Sequence, residues 1–464
     1  MNVKIINAIF LIVSPPKYYQ YSIVLRGQTK WRKDRINFLL ADLKESVDMK
    51  LMNITDQEHD AFVKEHPNGD LLQLTKWGET KKLTGWYAKR IAVGENGEIK
   101  GVAQLLFKKI PRTPFTLCYA SRGFVVDYTN KLAVKVLLAE VIKIAKQEKS
   151  YTIKIDPDVE VDEDSSVVDE LKALGFRHKG FKQGLSKDYI QPRMTMITPL
   201  DQTDEELIKS FDNRNRSKVR LALKRGTKVE RKGREDLKIF AQLMKETGER
   251  DGFLTRDVSY FETIYDALHE DGDAELFLVK LEPKPVLKEL RQERQSLDQE
   301  EARLKAKKQD KKTLNKINDV KNKQNKTDSL IQDLEQLEKT HPEGRYLSGA
   351  LLMFCGHKSY YLYGASSNDY RDFLPNHHMQ FKMMQYAREK GAKTYDFGGT
   401  DNQPDKNSSH YGLWTFKKAW GTYLSEKIGE FDFVLNPIVY KAVEQFKPQL
   451  TQLKIKIVRK IKNS

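Results

Sequence analysis

The sequence predicts an α/β fold of two similar units in tandem, the second interrupted by a helical arm. Three observations carry that prediction. The order strand, strand, helix, strand occurs twice, with the same hydrophobic logic each time. A charged stretch over residues 287–340, without an aromatic residue, Gly or Pro, separates two apolar strand-like runs. At 39% hydrophobic and 10% aromatic residues, the 464-residue chain can fill two or three cores.

In the first copy, "GVAQLLFKKI" (101–110) and "FTLCYASRGFVVDY" (115–128) read as strands. "NKLAVKVLLAEVIKIAKQ" (130–147) places apolar residues at three-four spacing, a helix, and "YTIKIDP" (151–157) is a short strand closing in a turn. The second copy runs "LSGALLMFCG" (347–356), "SYYLYGASS" (359–367), the helical "NHHMQFKMMQYAREKG" (376–391) and "TYDFGGT" (394–400). Between the copies, "DNRNRSKVRLALKRG" (212–226) reads as a helix with Val219, Leu221 and Leu223 turned partly inward and Gly226 as its C-cap. Arg214, Arg216, Lys218, Arg220, Lys224 and Arg225 meet no acid there, which favours phosphate binding over a solvated face.

The charged stretch repeats Leu290, Leu297 and Leu304 at heptad spacing, then Leu314, Ile317, Leu330, Leu334 and Leu337. A polar "KKQDKK" (307–312) divides it, so two helices zipped antiparallel are the simplest solution. Each would be about 25 residues and reach about 37 Å. Its 15 basic and 11 acidic residues over 284–339 make it no polybasic tail. His341, Pro342 and Gly344 stop the second helix and return the chain to the sheet.

The whole chain carries 81 Lys and Arg against 65 Asp and Glu, a net +16, which points to anionic partners. Only Cys118 and Cys355 are present, both inside apolar runs; this excludes a disulfide scaffold and points to a reducing compartment. The apolar run near the N-terminus is about nine residues, short of the roughly 20 a span requires, so the expectation is a cytoplasmic protein. "KPQLTQLKIKIVRKIKNS" (447–464) stacks Leu450, Leu453, Ile457 and Ile461 on one stripe with six basic residues. It is either a basic amphipathic helix on the inner membrane face or a packed terminal helix.

No Walker A loop, G-x-S-x-G, H-E-x-x-H or G-x-G occurs. The adjacent His377 and His378 would point apart on a helix, so no metal site is expected. "TYDFGGTDNQPDKNSSHYGLWTFKKAWGT" (394–422) is the densest cluster of functional residue types. A strand end, two glycines, a polar loop and aromatics around Lys417 and Lys418 suggest an open pocket for a polar, anionic ligand.

Several stretches, taken in order, resemble one family. They are "NGDLLQLTKWGETK" (68–81), "RGFVVDY" (122–128), "IKIDPDVE" (153–160), "LGFRHKGF" (174–181), "IQPRMTM" (190–196), "RSKVRLALKRG" (216–226), "YLYGASS" (361–367), "TYDFGGTD" (394–401) and "FKKAWG" (416–421). The chain is similar to the Fem peptidyltransferases of peptidoglycan cross-bridge synthesis (FemA, FemB, FemX), most of all to FemX members. The resemblance implies two subdomains like GCN5-type acetyltransferases, with a coiled-coil arm inserted in the second. It divides the chain into an extension outside the fold (1–51), a first subdomain (52–200), a second (201–283 and 341–436), the arm (284–340) and a C-terminal helix (437–464).

The implied reaction is attack by the stem-peptide lysine ε-amine of lipid II on the aminoacyl ester of a charged tRNA, glycyl for a FemX-like member. An aminoacyl ester is already activated, so neither ATP nor a metal is expected, and glycyl-tRNA is the acyl donor. The partners implied are tRNA, lipid II and other Fem proteins, with the chain a monomer or weak homo-oligomer. By motif, Lys81, four residues after Trp77, and Lys224, with Arg220 close by, take the pyrophosphate. Arg216 and Tyr363 join the substrate-binding set. Phe416 and Lys417 serve the tRNA end and the developing charge, and Asp127 orients the amine. Two rivals remain: a family member adding Ala or Ser or extending the bridge, and a non-enzymatic RNA-binding scaffold that oligomerises through the arm.

Overall fold

The computed structural model describes residues 49–161, 166–181, 185, 189–308 and 310–445. The chain opens with β1 (Lys50–Met52), α1 (Asp56–Glu65) and α2 (Thr75–Thr80). A meander follows, β2 (Trp86–Glu95), β3 (Glu98–Lys109) and β4 (Thr116–Ala120), with the short β5 (Val125–Val126). Asn96 and Gly97, both at positive φ, form the two-residue turn between β2 and β3. Helix α3 (Lys131–Gln147) is capped by Asn130 and carries the chain to β6 (Ser150–Ile155), parallel to β4. Then come α4 (Ser166–Ala173), β7 (Arg177–His178), β8 (Met194–Pro199), α5 (Asp204–Ser210) and α6 (Asn213–Ala222).

The second half repeats the plan. β9 (Thr227–Lys232), α7 (Leu237–Asp251) and α8 (Val258–Leu268) precede β10 (Ala274–Leu281). The arm is α9 (Pro283–Lys305) and α10 (Lys311–Thr340). β11 (Arg345–Cys355), β12 (Lys358–Ser366), α11 (Pro375–Glu389), β13 (Thr394–Gly399), α12 (Tyr411–Lys418), β14 (Tyr423–Glu426) and β15 (Phe431–Val434) complete it.

Two sheets result. One runs β1-β2-β3-β4-β6-β15-β7; the other, read from the far edge, runs β9-β10-β11-β12-β13-β8-β14. Position by position the two orders correspond. In both, the sixth strand comes from the opposite half: β15 enters the first sheet and β8 the second. The halves therefore exchange a strand reciprocally. A buried ion cluster fixes the exchange, with Lys154 of β6 between Glu430 and Asp432 (2.6 Å to the latter).

This corrects the expected boundaries. A cut at 200/201 would strip β8 from its sheet, and β15 does not belong to the second half's sheet. The fold also begins before residue 52, because Met49 is buried and Lys50–Met52 pair with Gly94–Ala92 of β2. Of the C-terminal helix expected at 437–464, residues 437–445 are helical; 446–464 and 1–48 lie outside the described residues.

Apolar packing makes layers. Ala103, Leu105 and Phe107 of β3 face α3, whereas Val102 joins a second core. That second core lies between the sheets, where Trp77, Phe240 and Phe261 meet Leu276, Leu278, Leu351 and Met353. On the far side of the second sheet, Ala350, Leu352 and Phe354 pack against Met383 and Met384 of α11. β11 is buried on both faces from Leu347 to Cys355, in keeping with a sequence there that is apolar but for Ser348. Cys118 and Cys355 are both buried free thiols.

The arm is an antiparallel pair. Leu290, Leu330, Leu334 and Leu337 pack at its base against Leu281, Leu347 and Phe373; Leu297, Leu304, Ile317 and Val320 pack further out. Leu314 is 48% exposed rather than part of the seam. Gln324 fills the buried stretch between, donating to Asp298 and Glu301 of α9.

Candidate functional site

A cavity of about 550 Å³ opens where the two sheets meet. Its origin is a split in the second sheet. β12 and β13 are parallel neighbours only from Lys358–Tyr360 against Thr394–Asp396. Beyond that, β12 stays with β11 while β13 bulges against β8 between Asp396 and Gly399. Tyr361, Leu362, Phe397 and Gly398 line the gap. Gly399 admits no side chain, because a Cβ there would come within 2.6 Å of Pro192.

Lys417 of α12 reaches into this gap. It is 6% exposed, and its Nζ donates to the Gly399 carbonyl at 2.6 Å. Burial draws its ammonium down to about 8, partly opposed by the carboxylate of Asp396. Asp396 is itself pushed up by burial, while its Oδ1 accepts from the Gly398 N–H at 2.6 Å. Among the described residues no cluster of three His, Cys, Asp or Glu side chains is placed to hold a metal ion.

The opposite wall comes from the first half. Asp158, in the loop after β6, binds Lys358 at 2.6 Å and Lys427 at 2.8 Å. Burial opposes its ionisation, but these two lysines and Arg122 outweigh it and hold the carboxyl well below its usual range. Lys358 also donates to the carbonyls of Pro67 and Gly69, closing one half onto the other. Asp70 caps the turn at Leu71–Gln73 and accepts from the Tyr360 hydroxyl at 3.2 Å; burial raises its carboxyl, and Asp158 adds to the rise. The Arg122 guanidinium donates to the Pro192 carbonyl at 2.6 Å.

A second niche lies further along β12. Lys81 sits 3.4 Å from the centroid of the Trp77 ring. Burial, reinforced by Arg256 beside it, brings its ammonium down to about 7. Arg256 covers the Tyr260 ring at 4.9 Å, and the Tyr260 hydroxyl meets that of Tyr363 at 2.9 Å. From Tyr360 at the cavity to Tyr363 at the niche is three residues of strand, about 10 Å.

Of the residues singled out from sequence, the structure thus places Lys417 in the cavity and Lys81 with Tyr363 in the niche. Phe416 is half-buried against Phe397 and Trp420 beside the cavity rather than lining it. Arg216 donates to the carbonyls of Lys209 and Phe211, tying α6 to α5. Arg220 and Lys224 are exposed on and just after α6, which packs against α11; the cation found beside Lys81 is Arg256. Leu221 and Leu223 are also exposed, and Val219 alone of the three turns inward, because one helical face suffices to cover α11. Asp127 is exposed, and its carboxylate accepts from the N–H and hydroxyl of Thr129 at the turn into α3. It does not line the cavity. Sequence reasoning missed Asp70, Arg122, Asp158, Lys358, Lys427 and Arg256.

Two α/β halves thus exchange a strand around a shared cavity that holds a buried lysine, with a cationic niche nearby. The model of the FemAB family matches residues 54–448, and the chain belongs to that family. It is 73% identical over 414 residues to the lipid II:glycine glycyltransferase of Staphylococcus epidermidis, covering 89% of this chain and all of that protein. Against the lipid II:glycine glycyltransferase of Staphylococcus aureus it is 71% identical over 419 residues, with the same coverage. The crystal structure of FemX superposes with a TM-score of 0.76 at 70% identity, covering 85% of this chain and all of that one.

Proposed function

We propose that this chain is a lipid II:glycine glycyltransferase, adding the first glycine of the peptidoglycan interpeptide bridge to the stem-peptide lysine ε-amine. The observation that carries the reading is the 71–73% identity to proteins of that name along their whole length. The geometry is suited to the chemistry. An aminoacyl ester needs orientation, a neutral amine and relief of charge on the oxyanion, rather than activation. In this reading the acyl donor is glycyl-tRNA and its ester enters the split between β12 and β13. Lys417 meets the oxyanion there with a cation partly stripped of water. Lys81 and Arg256 take the diphosphate of lipid II, and β12 sets the spacing between the two. Asp158, Lys358 and Lys427 hold the halves in register; Arg216, Arg220 and Lys224 offer an outer cationic surface for the tRNA backbone.

The test is to supply purified protein and lipid II with tRNA charged with Gly, Ala or Ser and to read the lipid product by mass. A glycyl adduct on the lysine, formed in preference to the others, is the expected result. Preference for Ala or Ser, or addition only to an acceptor already carrying glycine, would assign the chain a different step in the bridge.

A further inference from the structure

We propose that Leu83, Phe253 and Leu254 form a bilayer-docking face that seats the Lys81–Arg256 niche against an anionic phospholipid surface. The three side chains are 58%, 43% and 59% exposed. Single exposed apolar residues are ordinary on a protein surface. These three come from two separate segments that border one niche. Leu83 lies in the short turn Lys81–Thr84 that also carries Lys81. Phe253 and Leu254 lie in the loop that leads to Arg256. α8 packs on α2 and brings the two segments together. Gly252, at φ +74, ends α7 and turns the loop outward.

The charges around the niche fit the same partner. Glu79 is taken up by Lys82, Asp251 by Arg250, and Asp257 by the N-terminus of α8. Among the described residues no acidic side chain forms an ion pair with Lys81 or Arg256, and aromatic rings support both. The inference rests on the acceptor reading above. In a polyprenyl diphosphate the charged group is joined directly to the hydrocarbon chain. A niche that holds the diphosphate must then lie at the headgroup level, and the apolar side chains beside it meet the acyl boundary. Among the described residues no helix is long and apolar enough to cross a membrane, so contact of this kind is with the surface.

The experiment attaches an environment-sensitive fluorophore after Leu254→Cys, the two native thiols being buried, and after Leu314→Cys on the arm as control. Both proteins are mixed with phosphatidylglycerol–phosphatidylcholine vesicles carrying lipid II. A blue shift, with quenching by acyl-chain quenchers, is expected at 254 and absent at 314. An unshifted probe at 254 overturns the docking face. In parallel, the variant Leu83→Ser/Phe253→Ser/Leu254→Ser should transfer glycine to vesicle-borne lipid II about tenfold more slowly. Its transfer to a short-chain, water-soluble diphosphate acceptor should be unchanged; equal loss on both acceptors overturns the proposal. If wild type transfers glycine to neither acceptor, the functional reading falls, and the fluorescence result still decides the docking face.

Discussion

At the residue scale, Lys417 and Lys81 are both lysines whose charge the fold has weakened, but with different consequences. Burial brings Lys417 to about 8 and Lys81 to about 7. In the proposed reaction, raising the pH frees the acceptor amine, which ordinarily titrates at about 10.4, and removes the proton with which Lys417 would meet the oxyanion. Under saturating substrates, the two changes offset each other above about 8, so kcat should climb with pH up to about 8 and then level off. In Lys417→Arg the climb should continue past about 8, because a guanidinium keeps its proton. Lys81→Met should raise KM for lipid II about tenfold or more with kcat nearly unchanged, the signature of lost uniform binding. The cluster around Lys417 and Lys418 was legible in the sequence because aromatics and lysines follow a strand and a glycine turn, and the Fem resemblance singled out Lys417 within it. Asp158 was not, because its lysine partners sit 200 and more residues away and each reads locally as a surface charge. Arg256 was hidden for a similar reason: a lone arginine in a loop carries no periodicity, and only packing of α8 on α2 brings it to Lys81.

At the element scale, the arm could be read almost completely, since leucines at heptad spacing in a charged background have few other solutions. Its polar layer at Gln324 could not, because a buried glutamine looks like any exposed one until Asp298 and Glu301 are seen across the seam. The arm leaves and re-enters the sheet at Leu281 and Arg345, which are paired neighbours. Removing residues 292–328 and joining the ends by a short turn should therefore leave the base cluster and both sheets intact. Unchanged thermal unfolding of the core would show this; loss of folding would make the arm part of the core. The strand exchange was illegible, because β8 and β15 have apolar patterns that suit either sheet. Lys154→Met should destabilise the protein by about 3 kcal/mol at neutral pH in urea unfolding, leaving Glu430 buried without its ion-pair partner and Asp432 with only Lys179 at 3.5 Å. The sign with pH follows: Lys154 holds the Asp432 carboxyl below its usual range against burial, a stabilisation the wild type itself loses as the pH falls, so the deficit should shrink in acid.

At the scale of the whole molecule, the strand exchange and the shared core between the sheets make the two halves one body with a cavity at their junction. In the proposed reaction, that arrangement would give each substrate its own approach, one at the cavity in the split sheet and one at the niche along β12. The family and the duplicated plan were visible from ordered motifs, whereas the junction was not, because no single stretch of sequence contains it. The central claim is tested most directly by single-turnover transfer of labelled glycine from glycyl-tRNA to lipid II, comparing wild type with Lys417→Ala. Wild type should yield glycyl-lipid II, and the variant, folded and still binding both substrates, should be slower by about a hundredfold or more. Equal rates in the two proteins would contradict the role of the buried lysine, and no transfer by wild type would contradict the function itself.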